Sequence, residues 1–259
     1  MGKRQHRSGR TVVALAGNPN TGKSTLFNAL TGLKQRTGNW PGKTVALAQG
    51  EYQWEGETYL LVDLPGTYSL LANSPEERIA RDFICFHHPQ VTVVVNDATC
   101  LERNLNLTLQ VLEITSRVVV AVNLVDEAQR RGLAIDTAGM ARELGVPAVA
   151  TVARSREGIS QLKALVQAVA KGKIHPQPRL VRYGASLEKK LAMLTAELGE
   201  LAERGFNPRF VALRLLEGDS DFLASWEAHL GFPLLLPQLP SSAGGSNWGT
   251  RGLPLPGPA

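Results

Sequence analysis

The sequence predicts an α/β fold, in which a mostly parallel central sheet is followed by a small all-helical domain. Two observations lead to this prediction. Short, almost continuously apolar runs alternate with helical stretches up to about residue 172, which is typical of parallel strands covered on both faces. Beyond that point leucines recur at spacings of three and four, and no strand pattern follows.

The strands are predicted from apolar runs with little polar alternation, which are typical of strands buried on both faces. Five such runs lie at 11–16, 58–62, 91–95, 118–122 and 147–152. A further run at 45–54 is joined to the second of them through Glu55-Gly56-Glu57, and this arrangement predicts an antiparallel hairpin.

Helices are predicted between these strands, at 23–31, 75–86, 101–115, 137–144 and 159–170. The second helix has the clearest start signal. Ser74 stands at the N-cap, Pro75 at the first helical position and Glu77 three residues after the cap, which is the arrangement of a capping box.

A domain boundary is predicted near residues 171–178, where Pro176 and Pro178 interrupt the pattern. Amphipathic helices are then predicted at 186–204, 208–216 and 219–230. From Phe232 onward, six prolines and five glycines in 28 residues predict a disordered tail or linker. The predicted divisions are a basic arm at 1–10, an α/β domain at 11–172, a helical domain at 173–231 and a Pro/Gly-rich tail at 232–259.

The composition of the 259 residues excludes several classes of protein. With 43% hydrophobic and 20% charged residues the chain is globular, and two cysteines are too few for a disulfide framework or a thiolate metal cluster. No apolar run reaches the ~18–20 residues of a spanning helix, and no secretory signal is evident. We therefore expect a soluble chain.

Most of the net charge of +5 belongs to the N-terminal arm. Lys and Arg number 28 against 23 Asp and Glu, and removing the four basic residues of the arm leaves 24 against 23. Such an arm is either a solvated terminus or a contact for nucleic acid or anionic lipid. Because the rest of the chain has no basic excess, we expect no nucleic-acid partner.

A phosphate-binding loop is predicted between the first strand and the first helix. The stretch matches G-x-x-x-x-G-K-[ST] and reads Gly17-Asn18-Pro19-Asn20-Thr21-Gly22-Lys23-Ser24, with Thr25 next to it. Successive backbone N–H groups and the helix N-terminus would surround the phosphates. Lys23 would neutralise the β and γ oxygens, and the Ser24 hydroxyl would ligate Mg²⁺.

Two further motifs follow strand ends, the edge where open α/β sheets bind ligands. In Asp63-Leu64-Pro65-Gly66 the carboxylate can hold Mg²⁺ through a water, and the Gly66 N–H can meet a γ-phosphate. In Asn123-Leu124-Val125-Asp126 one carboxylate can accept both neighbouring donors of guanine, a pair that adenine lacks. Together the motifs predict that GTP and GDP bind.

This set of motifs resembles a small GTP-binding domain of the translation-factor-related class, which implies a P-loop GTPase fold. The resemblance implies that a backbone N–H near the last strand, matched here by Ala153, reads guanine O6. Leu124 stands where many GTPases have a lysine, which predicts weak binding and fast exchange. Thr67 stands where Ras-like GTPases have the water-orienting glutamine.

The missing glutamine leaves hydrolysis either slow or dependent on another group. In GTPases that resemble this chain, an asparagine at the position of Asn18 helps to hold K⁺ against the phosphates, where the cation supplies electrostatic stabilisation. We therefore predict slow, K⁺-stimulated hydrolysis. The alternative is that Asn18 only shapes the loop.

Four longer stretches are more specific, and together they resemble the cytosolic N-terminal portion of the bacterial ferrous iron transporter FeoB family over residues 11–231. They read Gly38-Asn39-Trp40-Pro41-Gly42-Lys43-Thr44-Val45, Asp63-Leu64-Pro65-Gly66-Thr67-Tyr68-Ser69-Leu70, Asp97-Ala98-Thr99 with Leu101-Glu102-Arg103-Asn104-Leu105, and Ala212-Leu213-Arg214-Leu215-Leu216-Glu217-Gly218-Asp219. The family pattern is a GTPase domain, a helical guanine-nucleotide dissociation inhibitor domain and a membrane domain. We expect this chain to be the cytosolic fragment of such a protein.

The resemblance also assigns roles. Thr44, in a first switch at 33–44 that would be mobile without GTP, would ligate Mg²⁺ in the GTP state. The second switch would run from Gly66 to about Asn73. The predicted catalytic residues are Asn18, Lys23, Thr44 and Gly66. Candidate partners are the membrane domain, small accessory proteins and further copies of the chain, at the cytoplasmic face of the bacterial inner membrane.

Several other residues invite a functional reading. Trp40 is interpreted as a surface anchor for the first switch or, alternatively, as a partner contact. His87 and His88 are adjacent on a helix and diverge, so we interpret them as a surface pair and predict no iron site in this chain. Cys85 and Cys100 are interpreted as buried small hydrophobic residues.

Two other functions stay open at this point. A ribosome-assembly type GTPase would need a basic face, stacking aromatics or a GXXG loop after residue 171, and the sequence has none of them. A GTP-dependent binding switch with little hydrolysis remains compatible with Thr67. Hydrolysis measured with and without K⁺ separates this switch from an enzyme.

Overall fold

A computed structural model describes residues 10–33, 35–39, 46–71 and 74–234. Its centre is one seven-stranded sheet. The strands are β1 (Thr11–Gly17), β2 (Gln35–Asn39), β3 (Ala46–Trp54), β4 (Glu57–Asp63), β5 (Val91–Asp97), β6 (Val118–Asn123) and β7 (Ala148–Ala150), in the spatial order β2-β3-β4-β1-β5-β6-β7.

Nine α-helices lie within the described residues. They are α1 (Lys23–Thr31), α2 (Pro75–His87), α3 (Leu101–Ile114), α4 (Val125–Arg130), α5 (Thr137–Leu144), α6 (Ile159–Ala170), α7 (Ala185–Glu197), α8 (Pro208–Glu217) and α9 (Ser220–Leu230), with 3₁₀ turns at Ala98–Cys100 and Gly199–Arg204. No helix in the described ranges is both long and apolar enough to cross a membrane.

The sheet confirms the prediction of a mostly parallel α/β fold. Strands β4, β1, β5, β6 and β7 are parallel neighbours, so their carboxyl ends meet at one edge. Strands β3 and β4 form the predicted antiparallel hairpin, closed by Glu55 and Gly56, which both have positive φ. The predicted start of α2 is also confirmed, because the Ser74 hydroxyl accepts from the Glu77 N–H at 3.2 Å.

Both faces of the sheet are covered, as apolar strands require. Residues of α1 and α6 pack on one face, against Val13, Leu15 and Val93. Residues of α2 and α3 pack on the other face, and their cluster continues into α7, α8 and α9. The helical region therefore shares a hydrophobic core with one side of the α/β domain.

A buried arginine reinforces this junction. Arg81 of α2 has no exposed side-chain surface and donates to Asp82, Asp221 and Ser225 at 2.9–3.1 Å. Asp221 and Ser225 belong to α9, so the ionic contacts join the α/β domain to the helical region. An unpaired charge at this depth is strongly destabilising, which explains why three carboxylates, those of Asp82, Asp219 and Asp221, and a hydroxyl surround the guanidinium.

Four elements differ from the sequence prediction. Helix α4 (Val125–Arg130) was not predicted, because it has fewer than two full turns and no apolar period. Strand β2 was not predicted, because Gln35–Asn39 is polar and lies at the sheet edge, where it pairs with β3. The last strand is shorter than 147–152. The helix predicted at 186–204 ends at Glu197, and a 3₁₀ turn begins at Gly199, a residue with low helix propensity.

The two cysteines differ in exposure, and the two adjacent histidines differ in the rings that they contact. Cys85 is buried, as predicted, but Cys100 is exposed, so the prediction for Cys100 was wrong. Cys100 immediately precedes α3, where its sulfur accepts from the Asn104 amide. His87 lies against Phe83, and His88 lies against Phe206 at 4.7 Å between ring centroids, so the two rings have different neighbours.

The helical region contains an ion pair with a predictable pH dependence. Arg209 donates to both carboxylate oxygens of Glu188 at 2.9 and 3.0 Å, and the Tyr183 N–H donates as well. The guanidinium, followed by this backbone N–H, lowers the pKa of Glu188 from 4.5 to about 2. A carboxylate whose pKa is lower in the folded state stabilises the fold above pH 4.5, and this contribution is lost as the pH falls towards 2.

We therefore expect Glu188→Gln to unfold at lower urea concentration than the unaltered chain at pH 7, and the gap to close between pH 4.5 and about 2. Urea unfolding followed by circular dichroism measures both. Glu203→Gln is the matched control, because Glu203 is exposed and makes no ion pair with another described residue. A gap that does not change with pH would contradict the assignment.

Candidate nucleotide-binding site

The predicted phosphate loop connects β1 to α1 at the carboxyl edge of the sheet. Asn20 and Gly22 have φ of 66° and 76°, and these left-handed residues turn successive N–H groups towards one side, as in an anion-binding nest. The Thr21 hydroxyl donates to the Asn18 carbonyl at 2.9 Å and braces the turn. At Gly17 a side chain is excluded, because a Cβ would lie 2.8 Å from the Val95 carbonyl oxygen.

Lys23 begins α1 and reaches the next motif. Its ammonium donates to the Asp63 carboxylate and, at 2.7 Å, to the Leu64 carbonyl oxygen. Asp63 ends β4, and burial raises the pKa of its carboxyl group, although the Lys23 charge opposes this. The Lys23 ammonium group therefore lies beside the phosphate loop, where an anionic ligand would contact it.

Asn123, at the end of β6, joins three segments of the site. It is fully buried, its amide donates to the Thr21 carbonyl at 2.9 Å, and its oxygen accepts from the Thr151 hydroxyl and the Ala153 N–H at 3.2 and 3.1 Å. The phosphate loop passes so close that a Cβ on Gly22 would overlap the Asn123 amide. The base motif and the phosphate loop are therefore one structure.

The sequence did not identify Thr151 as part of this network. The available signal was its position directly before Val152-Ala153, the turn that was assigned to the base. In the structure the Ala153 N–H already donates to Asn123, so it can reach a base oxygen only as a shared donor.

Asp126 lies in the first turn of α4, and its side chain is partly exposed. One carboxylate oxygen accepts from Arg130 at 2.8 Å, one helical turn later. Leu124, directly before the helix, has φ of 62°, so the chain bends sharply between Asn123 and Asp126. This bend separates the buried amide from the carboxylate that faces solvent.

The segment after Asp63 runs along the phosphate loop. The Thr67 N–H donates to the Gly17 carbonyl at 3.3 Å, and Gly66 lies so close to Pro19 that a Cβ would be 3.4 Å from the Pro19 backbone. The Thr67 hydroxyl donates to the Ser69 carbonyl at 2.8 Å and accepts from the Ser69 N–H. Thr67 is 5% exposed, and its hydroxyl is satisfied within its own turn.

Asn18 is the buried polar side chain that the loop leaves without a partner. It is 2% exposed, and neither its amide nitrogen nor its oxygen has a hydrogen-bond partner within the described part of the chain. Leaving both groups unsatisfied costs ~1–3 kcal/mol each, so a ligand that satisfies them would be stabilised there.

The other predicted residues are distributed as follows. Ser24 and Thr25 lie in the first turn of α1, and both are exposed. Thr44 and Trp40 lie outside the described residues, as do positions 72 and 73 of the predicted second switch. Among the residues that the structure describes, no group of three or more His, Cys, Asp or Glu side chains could hold a metal ion.

A phosphate loop tied through one buried asparagine to an Asn-x-x-Asp motif, both at the carboxyl edge of a mostly parallel sheet, is typical of one class of protein. The α/β part of the chain is accordingly a G domain, the nucleotide-binding domain of P-loop GTPases. The family model described as ferrous iron transport protein B matches residues 11–166, and the model for the FeoB cytosolic helical domain matches residues 183–236. The chain belongs to the FeoB family.

Individual relatives agree with this assignment. The Fe(2+) transporter FeoB of Salmonella choleraesuis is 38% identical over 217 residues, which are 81% of this chain and 27% of that protein. The chain thus spans about a quarter of the length of the curated relatives it matches. The corresponding protein of Escherichia coli K12 is 37% identical over the same length.

Solved structures match most of the chain. The cytosolic domain of T. maritima FeoB in its apo form is 37% identical, covers 88% of both chains and superposes with a TM-score of 0.75. The same domain has been solved in GDP and GMPPNP forms. The cytosolic domain of L. pneumophila FeoB is also 37% identical, covers 81% of this chain and 82% of that chain, and has a TM-score of 0.71.

Proposed function

We propose that this chain binds GTP and GDP, hydrolyses GTP to GDP and phosphate, and is the cytosolic regulatory region of an Fe²⁺ transporter. The observation that carries the proposal is the Asn123 network, which joins the phosphate loop to the base motif in one buried structure. The GDP and GMPPNP forms of the T. maritima relative support guanine nucleotide as the ligand.

In the proposed complex the Asp126 carboxylate accepts from N1 and the 2-amino group of guanine, and the Ala153 N–H is shared with O6. The phosphates lie on the backbone N–H groups of residues 17–25, with Gly17, Pro19, Asn20, Thr21, Gly22 and Thr25 forming the walls. Lys23 changes partner from Asp63 to the β and γ oxygens, and the Gly66 N–H contacts the γ-phosphate.

The donors beside the phosphate loop fit Mg²⁺. The Ser24 hydroxyl and the Asp63 carboxylate are hard oxygen donors, which Mg²⁺ prefers, and the raised pKa of Asp63 reflects a buried carboxylate that a cation would stabilise. Thr44 is proposed as a further ligand in the GTP state. Bound Mg²⁺ neutralises charge that develops on the β and γ oxygens.

The unpartnered Asn18 side chain fits the second proposed cation, K⁺. Its oxygen is buried beside the loop backbone and has no other described acceptor role. Thr67 is unsuited to align a water, because its hydroxyl is bonded to Ser69. Bound K⁺ supplies positive charge near the phosphates, and Asn18 contributes by holding its oxygen in place.

We expect the purified chain to hydrolyse GTP at least about tenfold faster in KCl than in NaCl at equal ionic strength, because a gain of ~1.4 kcal/mol in transition-state stabilisation is a factor of ten. Asn18→Ala should lose the K⁺ stimulation and keep its affinity for GDP within about threefold. Phosphate release under single-turnover conditions measures the first effect, and calorimetry measures the second.

Equal rates in the two salts would contradict the K⁺ role. Absence of hydrolysis in both salts, together with tight GTP binding, would instead favour a binding switch. Asn106→Ala is the matched control, because Asn106 is an exposed asparagine of α3 that lies outside the phosphate loop and both switches.

The transport role is proposed from the family alone. The relatives are Fe(2+) transporters, and this chain covers about a quarter of their length. Its proposed partner is a membrane domain, and its proposed location is the cytoplasmic face of the bacterial inner membrane. Accessory proteins and further copies of the chain are additional proposed partners. Fe²⁺ uptake by a full-length transporter that carries this region, compared with the same transporter altered at Lys23, tests the role.

A further inference from the structure

Two side chains of helix α3, those of Gln110 and Arg103, contact the beginning of the predicted second switch. Neither has a role in the proposed catalytic site. The oxygen of the Gln110 side chain accepts from the Leu70 N–H at 2.6 Å and from the Ser69 hydroxyl at 3.3 Å. Leu70 is 4% exposed, so this backbone N–H is bonded away from water. A buried backbone donor of this kind needs an acceptor, and Gln110 supplies it.

Arg103 lies seven residues earlier, on the same face of α3. Its guanidinium stands over the ring of Tyr68, 4.4 Å from the centroid. Tyr68 and Leu70 are alternate residues of the segment that begins after Thr67. Two side chains, two helical turns apart, therefore fasten this segment along the helix.

The other end of the segment is fastened to the phosphate loop. The Leu64 N–H donates to the Leu15 carbonyl at 3.0 Å, and the Thr67 N–H donates to the Gly17 carbonyl. Gly66 lies between these two anchors, and the Thr67 anchor separates it from the contacts of Tyr68, Ser69 and Leu70 with α3. The direction of the Gly66 N–H depends on the anchors and on the α3 contacts, because a change at Leu70 is transmitted through three peptide planes to Thr67.

We propose that Gln110 and Arg103 are positioning residues for GTP hydrolysis, which set the place of the Gly66 N–H opposite the γ-phosphate through their hold on Tyr68–Leu70. The inference rests on the proposed GTPase function. A positioning role differs from a general structural role in one measurable respect. GDP lacks a γ-phosphate, so the affinity of the chain for GDP should not depend on the contacts of Gln110 and Arg103 with residues 68–70.

The chemistry of the contact defines the variants. A backbone N–H can only donate, so the group at position 110 must offer an acceptor. Gln110→Glu keeps an oxygen at the same distance along the side chain, whereas Gln110→Leu keeps a similar volume and loses the acceptor. At Tyr68 the same logic gives Tyr68→Phe, which retains the ring, and Tyr68→Ala, which removes it.

The experiment measures single-turnover GTP hydrolysis and, by calorimetry, the affinities for GDP and for GMPPNP. We expect Gln110→Leu to slow hydrolysis about tenfold and to weaken GMPPNP binding by a similar factor, while GDP affinity stays within about twofold. For Gln110→Glu and Tyr68→Phe, the hydrolysis rate and both affinities should stay within about threefold of those of the unaltered chain. Gln161→Leu is the control, because Gln161 is exposed on α6, on the opposite face of the sheet.

Two results would overturn the inference: unchanged hydrolysis and GMPPNP affinity in Gln110→Leu, or a loss of GDP affinity equal to the loss for GMPPNP. Thermal unfolding of each variant identifies a fold that is lost as a whole, and in that case Tyr68→Ala gives the same comparison without a change in α3. If the unaltered chain binds GTP without hydrolysing it, the proposed hydrolytic function fails, and the ratio of GMPPNP to GDP affinity still decides the inference.

Discussion

Lys23→Ala is expected to abolish measurable binding of GDP and GTP at micromolar protein concentration. With GTP the variant loses charge-assisted hydrogen bonds to the β and γ oxygens, and with GDP it loses those to the β oxygens. At ~1.5–3 kcal/mol for each bond, a combined loss of about 3–4 kcal/mol predicts roughly 200- to 1000-fold weaker GTP binding. Calorimetry with GDP and with GMPPNP measures this loss directly.

The same substitution also affects Asp63, whose carboxylate accepts from the Lys23 ammonium. Burial raises the pKa of Asp63, and the lysine is the charge that opposes the increase, so its removal should raise that pKa further. Lys171→Ala is the matched control, because Lys171 pairs with Glu57 at 2.8 Å on the surface, away from the phosphate loop. Normal GDP binding by Lys23→Ala would contradict the proposed site.

Asp126→Asn is expected to exchange guanine for xanthine as the preferred base. A carboxylate accepts from both N1–H and the 2-amino group of guanine, whereas a carboxamide offers one acceptor and one donor, which match N1–H and the 2-oxo group of xanthine. Losing one charge-assisted bond and leaving a donor opposite a donor costs about 3 kcal/mol, or roughly 100-fold in GDP affinity.

Competition between GDP and XDP for the purified variant measures this exchange. Glu127→Gln is the matched control, since it neutralises the neighbouring acid of α4, which lies 4.0 Å from Arg131. The Asp126–Arg130 pair is largely exposed and contributes little to the free energy of unfolding, so the variant should remain folded. Unchanged preference for GDP over XDP would exclude Asp126 from the base site.

Several elements could be predicted because their signals are local. The capping box at Ser74 and the apolar periods of α5 and α6 depend only on neighbours in the sequence, and the structure begins or ends those helices at the predicted residues. Strand β2 could not be predicted, because an edge strand needs only backbone groups and a partner, and β3 supplies the partner from a distance.

The candidate site shows the same division. Its three motifs are short and contiguous, so the order of residues indicates a phosphate loop, a carboxylate beside it and a base-reading carboxylate. The bonds from Asn123 to Thr21, Thr151 and Ala153 span 28 to 102 residues of sequence and have no local pattern. The contact of Gln110 with Leu70, 40 residues apart, belongs to the same category.

The amino-acid order alone determined the fold class, the phosphate loop and the family, because periodicity and motif spacing are properties of neighbouring residues. Tertiary structure decided which polar groups find partners: Lys23 meets Asp63, the Thr67 hydroxyl bonds within its own turn, and Asn18 is left without one. The physical reason is that burial makes every unsatisfied polar group costly, and only the packed sheet defines which groups are buried together.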